Sequence, residues 1–269
     1  MSGGPNVAPP EGTAERWAWD YVTTTRLEDK LAPPPIPDAL LDDLAPVRIA
    51  APGRPVALVR LARAPKAPRP GALVDPKRRA ELLHTFLHHE LQAAELFAWA
   101  VLAYADAPRA FREGLLRLVR DELRHMRLYR EHMVTLGYDY GAFPVRDWFW
   151  ERVPSCPTPS SFLAVMGLGL EAANLDHAAR FAAALRAAGD GRAADIEEQV
   201  GREEVPHVRF AMTWLARFEG TCDYATWLAL LPPPLSPLVF RGEPMQVEAR
   251  RAAGMPDAMI DAIRAYRGT

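Results

Sequence analysis

Twenty-six prolines divide this 269-residue chain into stretches that can be helical and stretches that cannot. They cluster before residue 76, between 144 and 159, and between 232 and 256, whereas 77–107, 109–143 and 160–205 contain none. Proline lacks a backbone donor and clashes with the preceding turn, so helix interiors expel it. The proline-free stretches therefore outline long helices.

Start and stop signals sharpen the outline. Asp75 reads as an N-cap before Pro76, and this helix is expected to run to about Tyr104. Asp106 and Pro108 repeat the signal for a second helix that stops at Gly137. A third opens at PTPSS (157–161) and ends near Gly189; a fourth follows Asp190-Gly191 and ends at Gly220. Each is about 28 to 30 residues, or roughly 42–45 Å. Helices matched in length, without strand-like alternation, predict an all-α antiparallel four-helix bundle over residues 76–220. Its one long crossover is the segment of about 22 residues from Gly137 to Thr158. Residues 1–75 read as a Pro-rich N-terminal arm with a short helical piece in Ala14–Leu31. Residues 221–269 read as a C-terminal extension packed on the bundle, with short helices near Tyr224–Leu231 and Asp257–Arg267.

Composition excludes several classes. Lys and Arg total 32 against 34 Asp and Glu, a net charge of −2, unlike a chain that coats nucleic acid. No run of 18 apolar residues offers a membrane span. MSGGPNVAPPEG lacks the basic and apolar regions of a secretory signal. Cys156 and Cys222 cannot build a disulfide framework or a CxxC metal site and show no activating neighbours, and a reduced, cytoplasmic setting is expected. Residues 52–80 hold eight Lys/Arg against Asp75 alone, a net +7. That segment reads either as a patch for RNA or another anionic partner, or as a solvated arm on an acidic body.

Each long helix carries acid on its apolar face. Glu90 lies within the stripe Leu83, Phe86, Leu87, Ala93, Ala94, Phe97 and Val101. Glu171 lies among Ala164, Gly167, Leu168, Leu175 and Ala178. The second and fourth helices place Glu122 with His125, and Glu204 with His207, on theirs. Isolated carboxylates in an apolar core cost several kcal/mol or stay protonated, and four together repel. A pair of divalent cations removes both problems. The expected ligands are one Glu from each of two helices and Glu-x-x-His from each of the other two. Glu90 and Glu122 are 32 residues apart and centred on the first turn; Glu171 and Glu204 are 33 apart and centred on the second. Facing carboxylates are then level, and the two halves form an internal repeat. A third Glu-x-x-His, Glu81 to His84, is too far from the turn to be level with Glu122.

The segments HHELQAAELFA (88–98) and RDELRHMRLY (120–129) resemble one half-site of bacterioferritins, and LGLEAANLDH (168–177) and REEVPHVRF (202–210) the other. The chain thus resembles the ferritin-like di-iron carboxylate superfamily. With ERWAWDYVTTTRLEDKL and LVDPKRRAELLHTFLHHELQAAEL included, it looks like a bacterial ferritin-like family without a settled function, and more distantly like the ferritin-like tRNA hydroxylases. The resemblance implies two iron ions, or a manganese and an iron. Glu90, Glu122 and His125 would hold one, Glu171, Glu204 and His207 the other, and Glu122 and Glu204 would bridge. It also implies that Asp121 and Glu203 orient the histidines. Two residues depart from the pattern: Phe97 stands where bacterioferritins have tyrosine, and Pro206 lies inside the second Glu-x-x-His.

The remaining histidines, His84, His88, His89, His132 and His177, read as surface or packing residues, and Glu95 and Asp176 as solvated or interhelical groups. Trp148, Phe149 and Trp150 read as a plug in the crossover or a substrate lid. The functional expectation is a di-iron oxygenase or oxidase that takes O₂ and an unidentified, small organic substrate. A non-catalytic iron-handling protein and a tRNA-modifying hydroxylase are the alternatives. The electron donor and the oligomeric state, a homodimer among the options, stay open.

Overall fold

The computed structural model describes residues 7–63 and 67–268 and is all-α. Among the described residues no strand forms, and an isolated bridge joins Arg60 and Val145. None of these helices is long and apolar enough to cross a membrane. The chain divides into two compact units, Met1–Pro68 with Ala80–Pro154, and Arg69–Arg79 with Ser155–Thr269. These units cut across the arm, bundle and extension outlined by the prolines: the first joins the arm to two long helices, and the second joins two helical stretches to the C-terminal segment.

The first unit holds α1 (Ala14–Thr23), α2 (Leu27–Leu31), most of α3 (Pro76–Ala103), and α4 (Arg109–Thr135). The single helical piece expected in the arm is two helices. Thr24 leaves helical geometry, and its hydroxyl accepts from the Arg26 amide and donates to Asp29. Threonines compete with the helix through such local bonds. Asp75 caps α3 as expected, accepting from the Lys77 amide at 2.9 Å. Asp106 does not cap α4. Pro108 takes the N-cap position, and Asp106 lies in the hydrogen-bonded turn from Tyr104 to Ala107. Phe86 packs on Tyr129, and Glu90 lies beside His125 in the same antiparallel register.

One apolar face was expected on α3, yet its residues from Leu91 to Ala103 are buried all round. The arm covers the outer side. The Trp99 indole donates to the Ile49 carbonyl, and the Val47 amide donates to that of Leu102. Burial on every side suits the near-continuous apolar run in this half of the helix.

The second unit holds a 3₁₀ turn (Pro70–Val74), α5 (Pro159–Val165), a π-helical turn (Met166–Glu171), α6 (Ala172–Ala187), α7 (Gly191–Glu219), α8 (Tyr224–Leu230), α9 (Val247–Ala252) and α10 (Asp257–Ala265). Thr158 and Ser161 form a reciprocal capping box at α5. The third long helix opens there as expected but is divided by the π turn, and α9 was not expected. Asp190 caps α7, Gly220 ends it at φ 78°, and Pro206 is held inside without breaking it. Gly167 faces Ala211, Asn174 faces Glu204, and Ala178 faces Gly201, which fixes an antiparallel register. The C-terminal segment is pinned by Asp176, whose carboxylate accepts from Arg250 and from the Gly242 and Gln246 amides.

Candidate metal centre

In the first unit, α3 supplies Glu90 and α4 supplies Glu122 and His125. Nearly four turns of α3 precede Glu90, and the i,i+3 spacing puts Glu122 and His125 on one face. His125 Nδ1 lies 3.7 Å from a Glu90 oxygen and 3.5 Å from one of Glu122. One ligand atom from each of the three comes within 4.8 Å of the others, and all three residues are buried. Burial and then the adjacent Glu122 charge push the Glu90 carboxyl well above its usual range, against the pull of His125.

In the second unit, Glu171 closes the π turn, and α7 supplies Glu204 and His207. One ligand atom from each of these also lies within 4.8 Å of the others, and all three residues are buried. His207 Nδ1 is 2.8 Å from Glu204, and the Asn174 amide donates to the other Glu204 oxygen at 3.1 Å. π turns recur at functional sites because they re-aim side chains within a helix.

Each triad is two carboxylates and one imidazole in a buried setting. Hard divalent and first-row transition cations favour this donor set, and a bound cation would cancel the carboxylate repulsion. The six expected ligands thus fall into two buried clusters, three in each unit. Asp121 and Glu203 sit beside them on α4 and α7, half-buried. Asp121 pairs with Arg124 at 2.8 Å, and Glu203 accepts from Gln199 at 3.0 Å.

Sequence reasoning missed a second buried polar cluster in the first unit. Glu95, one of the supposed solvated or interhelical groups, is fully buried. It accepts from the two terminal Arg54 nitrogens at 2.6 and 2.8 Å and from the Trp150 indole at 2.8 Å, and it pairs with Lys30 at 2.7 Å. Burial pushes the Glu95 carboxyl up, but Arg54 and Lys30 outweigh that and hold it below the usual range. Arg54 also binds Asp147, which lies 3.2 Å from His88, and Tyr140 and His88 Nδ1 are 2.6 Å apart. The signal was present: an acid inside LQAAELFAWA (91–100) needs cationic partners. Asp176, paired with Arg250, is a second such acid.

Trp150 is buried on Glu95 and Phe149 stacks on His89, so these crossover aromatics pack inward. His84 and His88 are buried packing residues, not surface ones. Burial also pushes the Cys222 thiol up to about 11, as expected for an inert cysteine. Within the basic segment, Arg54 is buried on Glu95, and Arg79 pairs with Asp190 at 2.9 Å; Lys66 lies outside the described residues.

Fold and clusters define an all-helical protein with buried carboxylate–imidazole groups able to hold metal ions. The chain belongs to the family described as "Protein of unknown function (DUF455)", which matches residues 13–261. It is similar to an uncharacterized protein of Haemophilus influenzae (strain ATCC 51907 / DSM 11121 / KW20 / Rd), 28% identical over 193 residues. That similarity covers 68% of this chain and 66% of the relative. No solved structure matches the chain.

Proposed function

We propose that the chain is a ferritin-like di-iron, or manganese–iron, carboxylate protein that activates O₂ to oxidise or hydroxylate a small organic substrate. The observation that carries this reading is the doubled triad. Two buried Glu/Glu/His sets occupy corresponding positions in an internal repeat, each on an antiparallel helical pair. Glu90, Glu122 and His125 would hold one ion and Glu171, Glu204 and His207 the other, with Glu122 and Glu204 shared. Bound iron would supply the one-electron and oxygen chemistry that side chains lack. The chain's own residues fix the donors, with Asn174 orienting Glu204, and burial of all six ligands shields them from bulk solvent.

Asp121 and Glu203 would tune the two histidines through their positions beside the bridging acids. One imidazole per ion leaves coordination positions for O₂ and substrate. The test is metal content after purification without chelator and reconstitution with Fe²⁺. About two iron per chain, falling by at least one in Glu122→Ala and Glu204→Ala, is the expected result. Full metal content in Glu204→Ala would remove the ligand set. Fe²⁺ oxidation with no organic product from any candidate substrate would replace the oxygenase with an iron-handling protein.

A further inference from the structure

A basic cluster lies in the C-terminal part of the second unit, away from the triads in sequence and chemistry. A cavity of about 630 Å³ is lined by Arg241, Arg264 and Arg267, by Met245 and Val247, and by one acid, Glu243. Three guanidinium groups and one carboxylate line the cavity.

The arginines have a structural role that uses only part of their donor capacity. One Arg241 nitrogen donates to the Ile263 and Arg264 carbonyls at the end of α10, at 2.6 and 2.5 Å. One Arg267 nitrogen donates to the Arg264 and Tyr266 carbonyls. Arg264 lies 3.5 Å from Asp261, one turn earlier on the exposed side of α10. Cations at a helix C-terminus complement its dipole, and one would suffice for that. A guanidinium carries five donors, and these bonds engage a single nitrogen each of Arg241 and Arg267. Pinning Arg241 to α10 also pre-orders its fork, so little side-chain entropy remains to be lost on binding.

We propose that this cavity binds the phosphate of a small organic phosphomonoester. A carboxylate fills one guanidinium fork, whereas three guanidiniums suit a dianion with three terminal oxygens. A phosphate also supplies negative charge that the site lacks, since three guanidiniums outnumber Glu243 and Asp261. Met245 and Val247 form an apolar wall for the ester group, and a cavity of this size fits the range of small-ligand sites.

The test is calorimetric titration of the full metal-loaded chain with phenyl phosphate at low ionic strength, with benzoate as the carboxylate arm. The expected result is one phenyl phosphate per chain, bound at least tenfold tighter than benzoate. Affinity should weaken with salt, as an interaction between charges does. Arg264→Ala/Arg267→Ala, which spares the Arg241 contacts, should weaken binding at least tenfold while the melting temperature holds. Arg192→Ala, at an exposed site outside the cavity, should leave binding unchanged. Absence of binding, equal binding of benzoate, or equal weakening by Arg192→Ala would each overturn the proposal.

Discussion

At the scale of residues, the buried groups divide by what holds their charge. Glu95 and Asp176 pair with arginine or lysine, as does the half-buried Asp147, and Glu15 joins them through Arg112 at 3.0 Å. The triad glutamates have histidine beside them instead, which is why metal is the fitting counter-charge there. His84 belongs to neither group: it is buried with its Nε2 accepting from the Gly141 amide at 3.0 Å. Protonation would turn that acceptor into a donor. Burial, and then the nearby His88, lower the His84 pKa from 6.5 to about 4. Between those values the unfolded chain binds a proton that the folded chain refuses, so stability falls as pH drops from 6.5 toward 4. The loss from this residue alone is on the order of 3 kcal/mol. Urea unfolding of the wild type and His84→Gln at pH 7 and pH 4.5 measures it. The variant should lose less stability over that interval, and an equal loss in both proteins would show that His84 does not contribute.

At the scale of elements, helix packing depends on glycine at one close approach. A Cβ on Gly167 would lie 2.2 Å from the Ala211 Cβ, well inside carbon–carbon contact of roughly 3.5–4.0 Å. Gly167→Ala gains up to about 1 kcal/mol of helix propensity but forces the π turn away from α7, at about 1–3 kcal/mol. Ala211→Gly reopens the space. A double-mutant cycle in denaturant should therefore return a coupling energy above about 1 kcal/mol, and additive effects would remove the close approach. This contact also marks the limit of what sequence showed. Asp75, Asp190 and Gly220 were legible because caps are local chemistry written in one or two residues. The six triad residues were legible because period and spacing put acid on apolar faces. The π turn was not, because Gly167 and Gly169 weaken a helix locally without saying which carbonyl each amide will meet. The Arg54–Glu95 pair was not, because 41 residues of chain separate partners that meet only after folding.

At the scale of the whole molecule, the proposed centre makes a prediction that neither unit makes alone. A ligand that binds only the folded chain stabilises it by mass action, by about 2.7 kcal/mol at a hundred times its dissociation constant. If the ions draw donors from both halves of the repeat, that stabilisation belongs to both halves together. Removing metal with a chelator should then lower the melting temperature of the entire chain, and restoring Fe²⁺ should recover it. Glu171→Ala changes one donor in the second unit, yet it should reduce the metal-dependent shift measured anywhere in the molecule. Hydrogen exchange at the buried amides of α3 and α4 provides that reading for the first unit. Slower exchange there on metal addition to the wild type, and a smaller slowing in Glu171→Ala, is the expected pair of results. An unchanged response of α3 and α4 in Glu171→Ala would mean that the two triads hold ions independently. The dinuclear centre, and the shared roles of Glu122 and Glu204 with it, would then give way to two separate mononuclear sites.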